Sequence, residues 1–271
     1  MSEQCDQKLN QLVALTIESG VPPLQLTFTQ VNGCYTKRPV AYRTQTRVNS
    51  IALGVINYRE YGYATEHDDV GNDLAKWSIT AALKAAKRFA RAGRNIDWIS
   101  VRCPSSLATD VDLYDFIIDT AAKQKSGFID KLCLEFPKSL LLREPAAVFK
   151  TLSDMAVLKV KTMICGCGAK DMPLTKLADY PLYGAILDKS VAETLSDRNK
   201  HDAVPALLGY LKTLGLSLYA DGVTDDDQID AFYRLDCMGY VCGEDYKGNH
   251  PFDGFDNSIE FSIDQKEEDY G

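Results

Sequence analysis

Residues 131–165 read KLCLEFPKSLLLREPAAVFKTLSDMAVLKVKTMIC, and this stretch decides the fold. Lys131 to Phe136 is a short apolar run rich in strand formers. Residues 145–158 carry apolar side chains at helical spacing, and 161–165 is apolar again. A strand, a helix and a second strand in so little chain imply parallel pairing through a right-handed crossover. The same unit recurs on both sides. Upstream, Trp98 to Cys103 reads as a strand and 111–124 as a helix. Downstream come a strand at Gly184 to Leu187, a helix at 201–214 with Leu207, Leu208, Leu211 and Leu214 on one side, and a strand at Leu216 to Ala220. A helix at 225–235 and a strand at 238–242 complete the series. About seven such units are too many for a small open sheet and fit a closed barrel, so the expected fold is α/β, a TIM-barrel-like (β/α)8.

The start departs from this rhythm. Leu24 to Gln30 and Val40 to Val48 are strand-like runs separated by the turn-rich segment Asn-Gly-Cys-Tyr-Thr-Lys-Arg-Pro, which reads as a hairpin and makes the first strand antiparallel. Leu9, Leu12, Val13 and Ile17 predict a lead-in helix within residues 1–21. The barrel is assigned to 22–252. Residues 253–271 form an acidic C-terminal tail, apolar only at Phe255, Ile259, Phe261 and Ile263, and are expected to be a docked edge segment or a mobile end.

The 271 residues are enough for one sizeable core. A net charge of −8 argues against a general nucleic-acid binder and against a membrane-surface protein. No stretch approaches the roughly 18 apolar residues of a membrane span, and Met1 to Asn10 is polar, so a cytoplasmic protein is expected. The eight cysteines are then reduced thiols, mostly in the core. Cys165 and Cys167 form a C-x-C pair, but the C-x-x-C spacing of a zinc site is missing, and neither a metal nor a cofactor is expected. The run Asp225-Asp226-Asp227 reads as a helix cap rather than a cation site. His67, His201 and His250 lie far apart and read as surface or capping residues. G-x-S-x-G, P-loop and G-x-G-x-x-G signatures are absent from the chain.

Several landmarks together resemble the bacterial EAL domain family, whose members normally hydrolyse cyclic diguanylate. The run Leu53-Gly-Val-Ile-Asn-Tyr-Arg-Glu-Tyr61 resembles the loop before that family's first helix, and Leu74-Ala-Lys-Trp77 its Leu-Asp-Arg-Trp. Ile99-Ser-Val-Arg102 is similar to its Ile-Ser-Val-Asn, and Leu134-Glu-Phe-Pro137 to its Leu-Glu-Ile-Thr. Cys167-Gly168, Pro181 and Leu187-Asp188 keep the spacing of its Phe-Gly, Leu-Pro and Ile-Asp. Leu214-Gly-Leu-Ser-Leu-Tyr-Ala-Asp-Gly-Val-Thr224, followed by Gln228, resembles its Leu-Gly-Leu, Ala-Glu-Gly-Val-Glu and Gln. The collinear resemblance covers roughly residues 22–252.

The resemblance implies two divalent cations held by carboxylates and an Asn at the ends of barrel strands, where they activate water. In this chain the Glu-Ala-Leu stands as Arg43-Thr44-Gln45, the strand Asn as Arg102, and the Asp pair as Cys165-Gly166. Ile186 replaces a Lys, Asp221 a Glu, and Val241 falls near a Gln; Glu135 is retained. These exchanges make the mouth about four charges more positive, which repels Mg²⁺. The site residues carried over are Arg43, Arg47, Arg102, Glu135, Cys165, Asp188, Asp221 and Gln228, read as a vestigial site or an anion pocket. Arg47 keeps the place of a phosphate-holding Arg, so Arg43, Arg47 and Arg102 could grip an anion. The favoured reading is instead that Arg43 or Arg102 replaces the metal and pairs with Glu135 or Asp221.

The expected function is therefore a catalytically inactive EAL-like domain that regulates through a protein partner, a reading also suggested by the lack of an attached sensory or output domain in this chain. A non-hydrolysing receptor for cyclic diguanylate or another nucleotide is the alternative, and an active phosphodiesterase comes third. Homodimerisation is implied by the resemblance alone.

Overall fold

The structure, a computed structural model, describes residues 24–50, 54–56, 69–197, 199–248 and 258–259. Strands β1 (Leu24–Gly33), β2 (Pro39–Ser50), β3 (Gly54–Ile56) and helix α1 (Asp69–Arg91) come first among the described residues. Then follow β4 (Trp98–Arg102), α2 (Leu113–Lys123), β5 (Leu132–Phe136), α3 (Pro145–Val157), β6 (Lys161–Cys167), β7 (Gly184–Leu187), α4 (Lys189–Ser196), α5 (Ala203–Thr213), β8 (Ser217–Val223), α6 (Asp226–Arg234), β9 (Gly239–Cys242) and β10 (Ser258–Ile259).

From β2 through β4, β5, β6, β7, β8 and β9 every neighbour is parallel. β1 pairs antiparallel with β2 along its length, and with β9 only through Asn32↔Tyr240 and Gly33↔Gly239. Those last two pairs close an eight-stranded barrel. The expected barrel and its antiparallel first strand are both present.

Two cores follow from strand alternation. Outward side chains such as Leu26, Phe28, Ile99, Leu134 and Ile164 pack under the helices, where α1 contributes Ile79, Leu83 and Phe89. Inward side chains Val31, Ala41, Trp98, Cys133, Met163, Ile186, Tyr219 and Val241 fill the barrel itself. The Trp98 indole donates to the Tyr219 hydroxyl at 3.2 Å, and the two rings meet edge to face. This floor seals the lower barrel and sets the depth of the mouth above it.

The ends of the helices and strands read from the residue pattern fall within three residues of the expectation; α1 was not among those read. The segment at Leu53 to Tyr61 was expected to be a loop, yet Gly54–Ile56 forms β3, antiparallel to β2, because β2 runs past the barrel rim and offers an unpaired edge. Helix α4 was not anticipated; with eight residues it is too short for a clear period. The lead-in helix, His67 and His250 lie outside the described residues. Of the tail, only Ser258 and Ile259 are described, and they pair antiparallel with Thr27 and Leu26.

Candidate functional site at the barrel mouth

Side chains on a strand return to the same face every second residue. Five floor residues therefore have a successor two positions on that points into the mouth: Ala41 is followed by Arg43, Trp98 by Ser100, Cys133 by Glu135, Met163 by Cys165 and Tyr219 by Asp221. Residues from five strands thus meet in one layer. Ser100 was missed in the sequence reading, and this alternation is the signal that could have found it.

At the centre is Glu135, 1% exposed. Arg43 Nε lies 2.9 Å from its Oε1 and Arg43 Nη2 2.8 Å from its Oε2, a bidentate grip. The Ser100 hydroxyl donates to Oε1 and the Cys165 thiol to Oε2 at 3.3 Å. Arg43 Nη1 turns the other way, to Asp221 Oδ2 at 2.6 Å. The Arg43 side chain is 7% exposed and that of Asp221 33%. One guanidinium thus bridges two carboxylates from strands on opposite sides of the mouth.

Burial alone would raise the Glu135 carboxyl. The Arg43 charge, its hydrogen bonds, the Arg102 charge and the Ser100 hydroxyl outweigh that, holding Glu135 below the ordinary carboxyl value and ionised. Burial works against the Arg43 cation too, but Glu135 and Asp221 overcome it and hold its proton more tightly than usual. Burial and the Glu135 charge push the Cys165 thiol well up, so it stays protonated as a donor. Cys167 takes no part: it is buried in the outer core, and desolvation raises it to about 12.

Arg102 is in register with Glu135 on the neighbouring strand and half-buried. Arg47, four residues beyond Arg43 on the same face, is exposed at the rim. Asp188 and Gln228 are engaged at helix ends. The Asp188 carboxylate accepts from Ser190 N at 3.0 Å and caps α4. Gln228 is 5% exposed; its Oε1 accepts from Thr224 N, and its Nε2 donates to Ala192 O and Ser196 Oγ, tying α6 to α4. Asp225 caps α6, as expected, by accepting from Gln228 N. His201 is exposed beside Asp202. The structure thus brings together Arg43, Glu135, Cys165 and Asp221, with Arg102 adjoining, and sends Arg47, Asp188 and Gln228 to the rim or to helix ends. Among the described residues, no group of three or more His, Cys, Asp or Glu side chains is placed to hold a metal ion.

The fold and this inward-facing mouth define an α/β barrel of the TIM type. The chain belongs to the EAL domain family, whose profile matches residues 23–244. An uncharacterized protein of Azorhizobium caulinodans is 23% identical over 260 residues, which is 92% of this chain and 35% of that protein. The signaling protein YkoW of Bacillus subtilis is 24% identical over 61% of this chain and 20% of its own length. The chain therefore spans about a third or less of these relatives. Among solved structures, the PaMucR phosphodiesterase in its c-di-GMP complex superposes with a TM-score of 0.76 at 18% identity, covering 89% of this chain and 96% of that one. The FimX EAL domain from Pseudomonas aeruginosa bound to c-di-GMP gives 0.75 at 13% identity, covering 89% and 95%. At these identities the likeness establishes the fold.

Proposed function

We propose that this EAL domain of cyclic-di-GMP signalling does not hydrolyse the dinucleotide and serves in the cytoplasm as a regulatory module that binds a protein partner. The observation that carries this reading is the placement of Arg43 between Glu135 and Asp221. Hard divalent cations require several oxygen ligands. This mouth offers Glu135, with both oxygens already engaged, Asp221, with one oxygen on Arg43, a neutral thiol at Cys165, and arginines at 43 and 102. A pair of such cations does not fit those residues, and without it nothing among the described residues of the mouth lowers the pKa of an attacking water. The charges at the centre satisfy one another, which leaves the domain's outer surface, with exposed Leu142, Phe149 and Val157 in and beside α3, for contact with a partner.

A second reading has its own support. Arg47 stands exposed at the rim, and PaMucR and the FimX EAL domain have been solved with c-di-GMP. A receptor that holds the dinucleotide without cutting it would use Arg47 and Arg102 as phosphate contacts. The test is an assay with cyclic diguanylate and Mg²⁺ or Mn²⁺, joined to a calorimetric titration with and without metal. No product is expected, and turnover at ordinary enzyme rates refutes the proposal. Micromolar binding without turnover selects the receptor, and a silent titration selects the partner-binding module.

A further inference from the structure

Helices α1 and α2 lie side by side on the outside of the barrel. The Lys76–Asp110 ion pair joins them at 2.7 Å, and Gln124 joins them again: its Nε2 donates to Thr80 O and its carbonyl accepts from Lys87 Nζ. Each helix leads into the start of a parallel strand, so both run from the mouth end to the opposite end, the foot. Charge is sorted along this shared face. Near the mouth stand Asp73 on α1 and Asp112, Asp115 and Asp119 along α2, all exposed. Toward the foot, Lys84, Lys87, Arg88 and Arg91 share one face of α1 at helical spacing, continued by Arg94 and, at the end of α2, by Lys123 and Lys125. No carboxylate occurs between residues 74 and 96 or between 120 and 129.

A helix dipole favours carboxylates in the first turn and cations in the last, which accounts for Asp115, Arg88 and Arg91. It does not account for Lys84 and Lys87, which stand earlier in α1, or for Asp119, which lies in the second half of α2. Nor do local ion pairs explain the pattern. Among the described residues, Lys84, Arg91, Asp112, Asp115 and Asp119 have no oppositely charged partner. Between the two poles of the face, Ile118 and Ala122 are exposed.

We propose that the α1–α2 face is self-complementary and binds a second copy of this chain about a two-fold axis that runs across the face between its poles. That operation lays the basic pole of each copy on the acidic pole of the other, so every ion pair is made twice. Ile118 and Ala122, beside the axis, meet their counterparts there. Exposed ion pairs are individually weak and screened by salt, so this dimer forms reversibly and loosens as ionic strength rises. The inference goes beyond the proposed function and does not depend on what the mouth binds or on whether it hydrolyses.

Sedimentation equilibrium of the full chain tests this. A monomer–dimer equilibrium is expected, with a dissociation constant that rises about tenfold or more between roughly 0.05 and 0.5 M salt. Lys84→Glu with Arg91→Glu should leave a monomer, and so should Asp115→Lys with Asp119→Lys. An equimolar mixture of these two variants should associate again, because a face made acidic throughout then meets one made basic throughout. A monomeric parent, a dimer indifferent to either pair of reversals, or folded variants that stay apart when mixed overturns the proposal. Should a variant not fold by circular dichroism, carbodiimide coupling of the parent decides, since it joins a lysine amine to a carboxylate in contact. A link from Lys84 to Asp112, Asp115 or Asp119 in the dimer and not in the monomer supports the interface. A dimer without that link refutes it.

Discussion

The Arg43 guanidinium is a single charge that serves two carboxylates, and its burial makes it costly to lose. An isolated buried charge is expelled by desolvation, so breaking such a pair from one side typically costs roughly 3–5 kcal/mol. Arg43→Met is expected to lower unfolding free energy by about that amount in a urea titration, because Glu135 and Asp221 are left facing each other. Arg43→Met combined with Glu135→Leu should recover most of the loss, since the charges leave together. The pH dependence has a definite sign. Glu135 titrates below its ordinary value of 4.5 in the folded chain, so the unfolded chain takes up the proton more readily. Its stabilising contribution is complete above about 4.5 and is lost as pH falls through the lower folded value. Measured against Glu135→Gln, the parent's advantage should shrink in that acid window and stay constant above it.

At the level of elements, the end of β6 and the turn that follows it carry much of the constraint. The ladder between β6 and β7 shifts register between Cys165 and Cys167, and Gly166 and Gly168 both take the left-handed backbone, with φ of +78° and +94°. This bulge turns Cys165 into the mouth and Cys167 into the outer core. A Cβ on Gly168 would lie 2.5 Å from Val191 Cγ2 on α4 and 3.0 Å from Leu207 Cδ2 on α5. Gly168→Ala therefore adds backbone strain to a steric clash, and a loss of roughly 1–3 kcal/mol is expected by denaturant titration. The same change at Gly166 meets no atom within 4 Å and pays the backbone penalty alone. A smaller effect at Gly166 than at Gly168 separates the two causes.

On the scale of the whole barrel, a hydrophobic floor supports a charged layer, and the identity of that layer decides what the mouth can hold. Adding Mn²⁺ should leave the melting temperature of the chain unchanged. The triple variant Arg43→Glu, Arg102→Asn, Cys165→Asp places oxygen ligands beside Glu135 and is expected to gain a Mn²⁺-dependent rise in melting temperature. A rise in the parent counts against the guanidinium as a replacement for metal. The parallel barrel, the antiparallel first strand and the Asp225 cap were legible in the chain, because period-two and period-3.6 patterns and capping chemistry are local. The EAL landmarks were legible as well, since their order along the strands survives at low identity. What the sequence by itself determined was the order of the barrel elements and that Arg43, Arg102, Glu135, Cys165 and Asp221 stand on its strands. Only the tertiary structure decided that Arg43, rather than Arg102, bridges Glu135 and Asp221, that Ser100 joins them, and that Asp188 and Gln228 serve helix ends instead. The physical reason is that partners 92 and 178 positions from Arg43 are chosen by barrel closure and side-chain reach, neither of which leaves a mark on local sequence.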